Sequence, residues 1–157
     1  MIDIGAGGQE LHMHLRPGTD YLPCDLFQTT SDTWYCDFNR DIFPTTSRSF
    51  NYVVLSGVVE YAREPTRLIT RALEYAPTLI VTYIPAVGPD RREHLRHGRF
   101  NHFTRDELEA LFLDNGLGLE LVGTCSGNEC IYLAGRGTAS IGSLVTRPTA
   151  PTVSNRT

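Results

Sequence analysis

Two short and nearly unbroken apolar runs, residues 50–56 and 79–83, lie on either side of a single stretch with helical spacing. A strand with one face in water alternates apolar and polar residues. A run without that alternation belongs to a strand covered on both faces, as in parallel sheets. Between the runs, Pro65 suits the first turn of a helix, and Leu68, Ile69, Ala72, Leu73 and Ala76 recur at helical spacing before Pro77 ends it. Strand, helix and strand in that order imply a crossover between parallel neighbours. The chain is thereby directed to the α/β class, with helices packed in layers on a mostly parallel sheet.

The remaining segments extend the pattern. Residues 1–4 are a strand stub running into Gly5-Ala6-Gly7-Gly8, and residues 10–16 give one or two helical turns closed by Pro17-Gly18. Residues 21–24 are short and extended and end on Asp25; residues 33–36 are rich in β-formers and end on Asp37. Trp34, inside the latter, is expected in the core. Thr104 and Glu107 form a capping box for a helix carrying Leu108, Leu111 and Phe112, and Gly116 stands at its exit. Residues 119–124 and 130–134 read as a closing strand pair. One domain over residues 1–136 is expected, followed by a disordered Ser-, Thr- and Pro-rich tail over 137–157.

Composition excludes several classes of function. The 157 residues carry a formal charge of −4 and no block of like charge, so a nucleic-acid partner is disfavoured. No apolar run approaches the roughly 20 residues of a membrane span, and the start lacks the layout of a signal peptide. A cytoplasmic, bacterial protein is the resulting expectation. Cys24, Cys36, Cys125 and Cys130 contain no CxxC pair and read as structural free thiols, with no metal site.

Ligands of open α/β sheets bind beyond the carboxyl ends of the strands. Here the first strand ends in Asp3-x-Gly5-x-Gly7-Gly8, where glycines let the backbone approach a ligand closely. A dinucleotide fingerprint would place glycine at position 10, but Glu10 stands there, and a carboxylate at a helix N-terminus repels pyrophosphate. The absence of any lysine also removes the Tyr-x-x-x-Lys pair of a nicotinamide-dependent oxidoreductase. Asp3 is positioned for a cationic group such as an ammonium. Asp25, 18 residues after Gly7, suits the two hydroxyls of a ribose. Asp37 suits an exocyclic amine, and Phe38 a purine face. An amino group, a free ribose and an adenine without phosphate describe S-adenosylmethionine.

From Ile2 to about Arg136 the chain resembles a small class I S-adenosylmethionine-dependent methyltransferase. Residues 3–8 match that family's glycine-rich first motif, Asp25 its ribose-binding acid, and Cys36-Asp37-Phe38 its adenine-contacting segment. Residues 50–61 are similar to the fourth-strand motif and the turn after it, with Asn51 where an Asp is usual; residues 103–108 resemble the opening of the last helix. The resemblance implies a three-layer Rossmann-like fold with a seven-stranded sheet, mostly parallel, its last strand antiparallel. It also implies a cofactor site of Asp3, Gly5, Ala6, Gly7, Asp25, Leu26, Asp37 and Phe38, with the backbone at Ser56 and Gly57 facing the methionine portion. Gln9 departs from the motif's third glycine. About three residues precede the glycines, against a usual five or six, so either a truncated chain or a weakly binding open pocket is expected.

Methyl transfer is a displacement in which alignment does most of the work and a base matters only when the acceptor must lose a proton. His94, His97 and His102, in the long segment after the fifth strand, are the candidate bases. Glu60 and Tyr61 follow the fourth strand near the expected methyl position. The function expected is methyl transfer to a small-molecule or glycan acceptor. The alternative is a non-catalytic module or partner subunit that binds the same cofactor.

Overall fold

The computed structural model describes residues 1–87, 98–125 and 128–136. Seven strands form one sheet: β1 (Ile2–Ile4), β2 (Leu22–Asp25), β3 (Trp34–Tyr35), β4 (Tyr52–Ser56), β5 (Thr78–Tyr83), β6 (Gly118–Thr124) and β7 (Cys130–Gly135). Their order is β3-β2-β1-β4-β5-β7-β6. The first five strands pair in parallel, and β7 runs antiparallel between β5 and β6. Among the described residues two helices accompany them, α1 (Pro65–Ala72) and α2 (Arg105–Asp114), with 3-10 turns at Glu10–His14, Phe38–Arg40 and Val59–Tyr61.

Register shows how the core is assembled. Ile2 stands opposite both Leu22 and Val53, Val53 opposite Leu79, and Leu79 opposite Ala134, so these side chains share one sheet face. The next rung on that face carries Ile4, Cys24, Leu55, Val81 and Tyr132. All of them are buried, and Leu68, Ile69 and Ala72 of α1 and Leu108 and Phe112 of α2 join the same cluster. On the opposite face Asp3 and Val54 are buried, while Ile80, Thr82, Ile131 and Leu133 are half-buried.

Local chemistry explains the boundaries. Pro65 occupies the first turn of α1, which ends at Ala72 rather than at Ala76; the chain tightens there into turns in which Glu74 N–H donates to Arg71 C=O and Tyr75 N–H to Ala72 C=O. A residue preceding proline is biased away from helix, and Pro77 shortens the element. In α2 the Thr104 hydroxyl accepts from Glu107 N–H and the Glu107 carboxylate accepts from Thr104 N–H, the expected capping box. Trp34 is 40% exposed and does not lie in the core. Its strand has two residues at the sheet's edge, with β2 on one side only.

Among the described residues, no helix is long and apolar enough to cross a membrane. All four thiols are free, with Cys24, Cys36 and Cys130 buried and Cys125 exposed. The tail over 137–157 lies outside the described residues.

Candidate functional site

From β1 the chain steps outward through β2 to β3, then returns to the far side of β1 as β4 and proceeds to β5. That reversal between β1 and β4 is a topological switch point, where the loops leaving neighbouring strands part and leave a crevice. A cavity of about 450 Å³ lies there, within the range of small-ligand sites. Its wall comes from the ends of four strands: Gly5 after β1, Asp25, Leu26 and Phe27 at and after β2, Cys36 to Asn39 after β3, and Gly57 and Val58 after β4. Tyr61 and Phe100 complete it.

Backbone geometry decides two of these positions. Gly5 sits at φ +81°, and a Cβ there would come within 2.5 Å of Val58 Cγ2, so the turn out of β1 closes against the turn out of β4 only with glycine. Gly57 sits at φ +60°, with its N–H directed to Thr82 by way of the C=O at 3.3 Å and Oγ1 at 3.1 Å. Ser56 pairs its hydroxyl with that of Thr82 at 3.1 Å and stays outside the cavity wall.

The Asp25 carboxylate is held by the backbone. Gly7 N–H donates to its Oδ2 and Phe27 N–H to its Oδ1, each at 2.9 Å. Both oxygens are thereby fixed, and each keeps a lone pair for a further donor. Asp37 lines the same cavity from the neighbouring strand end; its backbone bridges to Ile42 and its carboxylate makes no hydrogen bond with the described residues. Beside it, burial and the neighbouring carboxylates push the Cys36 thiol up to about 12, so this part of the wall is a neutral, apolar sulfhydryl. Neither Arg nor His belongs to the described lining. Two carboxylates without a cation suit a ligand rich in hydroxyl and amino donors and repel a phosphate.

The structure brings Gly5, Asp25, Leu26, Asp37, Phe38 and Gly57 together on one cavity. Gly7 acts through its N–H on Asp25, and Ala6, buried, donates its N–H to Cys24 C=O at 3.1 Å. Asp3 lies off the described wall. It is 3% exposed and accepts from the Tyr21 hydroxyl at 2.7 Å; burial raises its pKa and the Tyr21 bond lowers it in part. His102 lies outside the cavity lining, in a neighbouring hollow that has Phe103 and Glu107 and shares Phe100 with the cavity. His94 and His97 lie outside the described residues. Asn51 is exposed just before β4, at the strand end away from the cavity.

Gln9, where the motif expects glycine, keeps the left-handed conformation at φ +61°. Its amide donates to the hydroxyls of Thr30 and Thr33 at 2.7 and 2.9 Å, so the side chain is drawn to the β2–β3 loop and is not part of the cavity wall. Sequence reasoning did not find Phe27, Asn39, Val58 or Phe100. Phe27 and Val58 adjoin motif positions and were accessible by extension. Phe100 is 39 residues beyond Tyr61 and becomes a neighbour only through hydrogen bonds that no local pattern announces.

No family model and no curated protein matches the chain. Solved structures do. The N-terminal domain of EvdMO1 with SAH bound superposes with a TM-score of 0.56 at 16% identity, over 86% of this chain and 73% of that one. The pyocyanin biosynthetic protein PhzM gives 0.64 at 18%, over 86% and 49%. CalO1, a methyltransferase in calicheamicin biosynthesis in its SAH-bound form, gives 0.62 at 22%, over 86% and 48%. The chain thus spans about half the length of the latter two. With the strand order, the antiparallel β7 and the glycine turn after β1, these likenesses establish that the chain has the class I methyltransferase fold.

Proposed function

We propose that this chain binds S-adenosylmethionine in the switch-point cavity and directs its methyl group to a small-molecule or glycan acceptor. The observation that carries the reading is the pair Asp25 and Asp37 on one cavity with neither Arg nor His among its described lining residues, and with Asp25 fixed by the N–H groups of Gly7 and Phe27. Structures of the same fold with SAH bound support it.

The residues present fit the cofactor. Asp25 would accept from both ribose hydroxyls through its two remaining lone pairs, each a charge-assisted bond. Asp37 would accept from the adenine amine, with Phe38 and the neutral Cys36 thiol as apolar contacts. The open left-handed turn at Gly57, where an added Cβ would meet nothing within 4 Å, leaves room for the aliphatic portion. When bound, the sulfonium supplies a methyl group that passes to an acceptor lone pair while the C–S electron pair stays on sulfur. The protein's part is alignment of the two reactants and exclusion of water.

Calorimetry tests this reading. S-adenosylmethionine and S-adenosylhomocysteine are expected to bind and NAD not to. Asp25→Ala is expected to weaken both adenosyl ligands at least about tenfold, since hydrogen bonds to charged groups are each worth about 1.5–3 kcal/mol. Unchanged affinity in Asp25→Ala would overturn the ribose assignment. Transfer of labelled methyl to components of a host extract separates turnover from the alternative, a module that binds the cofactor without using it.

A further inference from the structure

Gln9 stands where the glycine turn departs from its motif, and its backbone makes the departure informative. At φ +61° it is left-handed, a conformation that glycine holds with less strain than a residue carrying a Cβ. What glutamine adds at this position must therefore come from its side chain.

That side chain is 8% exposed and Thr33 is 2% exposed, so the bond between them is shielded from water. The protons can be counted. Both amide hydrogens of Gln9 go to hydroxyl oxygens, that of Thr30 at 2.7 Å and that of Thr33 at 2.9 Å. Thr30 gives its own proton to the Asp32 carboxylate, which can only accept. The 2.9 Å contact between the two hydroxyls is then a donation from Thr33 to Thr30. Each proton of the cluster has one acceptor, and the Gln9 amide enters it purely as a donor.

The same loop grips the glycine turn a second time. The Thr29 hydroxyl donates to Gly7 C=O at 3.0 Å, while Gly7 N–H donates to Asp25 Oδ2 at 2.9 Å. A Cβ added at Gly7 would meet none of the described residues within 4 Å, so packing does not set the direction of this N–H. Hydrogen bonds at Gly7 and at Gln9 set it instead.

We propose that Gln9 is a positioning residue for Asp25: its amide fastens the β2–β3 loop to the glycine turn and thereby keeps Gly7 N–H on the carboxylate. A glycine at this position could not make that link. The inference rests on the cofactor reading above, in which Asp25 accepts from the ribose hydroxyls.

The test compares the full chain with Gln9→Gly, which restores the motif residue and relieves the backbone while removing the amide. Thermal melts follow stability, and calorimetry follows S-adenosylhomocysteine. Ligand-observed NMR follows adenosine and 2′-deoxyadenosine, which differ by one ribose hydroxyl. Gln9→Gly is expected to melt cooperatively and to bind S-adenosylhomocysteine about fivefold more weakly, the worth of one net hydrogen bond. Its preference for adenosine over 2′-deoxyadenosine is expected to shrink by a similar factor. Thr33→Val removes the acceptor at the other end of the bond and is expected to do the same, with the double variant no weaker than either single one. If Gln9→Gly shows no cooperative melt, Thr33→Val is judged by the same criteria. Wild-type affinity in both variants overturns the inference, as does an equal loss for the two nucleosides, which a general loosening would give. Failure of the unaltered chain to bind S-adenosylhomocysteine overturns the cofactor reading and this inference together, whereas indifferent variants of a binding chain overturn this inference alone.

Discussion

At the scale of single residues, two acids behave in opposite ways for reasons of placement. Asp25 faces the cavity with its oxygens fixed and was legible, because an acid at the end of a second strand, a set distance beyond a glycine turn, has few other uses. Glu60 was legible only as a position. Its carboxylate is buried, 3% exposed, with Oε2 lacking a hydrogen-bond partner among the described residues. Burial raises its pKa; Arg99 counters this by attraction, and Glu129 adds to it by repulsion. A carboxyl whose pKa is raised on folding binds more protons in the native state than in the unfolded one. Its contribution is therefore complete below the unfolded pKa and is lost as pH rises through the folded one. Glu60→Gln should raise the melting temperature by a few degrees at neutral pH, with the gain shrinking towards zero near pH 4. Thermal melts of both proteins across that range check the sign. Asp3, also raised by burial, adds a loss of the same direction.

At the scale of elements, the sequence was most informative where a local rule has one physical outcome. Thr104 and Glu107 specify their box because each side chain satisfies a helix N–H that has no other partner. Thr104→Ala should cost about 1 kcal/mol and Thr104→Ser much less, measured by urea unfolding. Pro65 fixed where α1 begins. Its end was misplaced because the apolar spacing continues through Leu73 and Ala76 while the backbone has already left the helix. Spacing reports which side chains face the core, and a tight turn can satisfy it as well as a helix can. Trp34 fails for a related reason. Its residue type says strand, but only the position of β3 in the sheet order decides whether a neighbour covers it. The amide bonds from Asn39 to Tyr61 C=O and from Asn101 to Val59 C=O were invisible for the same cause, since the two asparagines act on one turn from 62 residues apart.

At the scale of the whole molecule, a seven-stranded, mostly parallel sheet with its last strand antiparallel followed from the resemblance, and the cavity lies where the observed strand order reverses. What remained illegible were the tertiary facts: Asp3 turned to Tyr21, and Phe100 brought to Tyr61. Burial across the sheet also sets the reactivity of the thiols. Cys24, Cys36 and Cys130 are enclosed, and burial raises the pKa of the first two, whereas Cys125 is exposed. A disulfide-exchange reagent added to the folded protein should modify one thiol rapidly and the other three on the time scale of unfolding, counted by mass spectrometry. The edge strand has a practical consequence. Trp34 is the chain's single tryptophan, and its strand pairs with the residues that lead into Asp25. Half in solvent and one strand away from Asp25, it is a built-in fluorophore. A blue shift or quenching on titration with an adenosyl compound, absent in Asp25→Ala, would report occupancy of the crevice without any label.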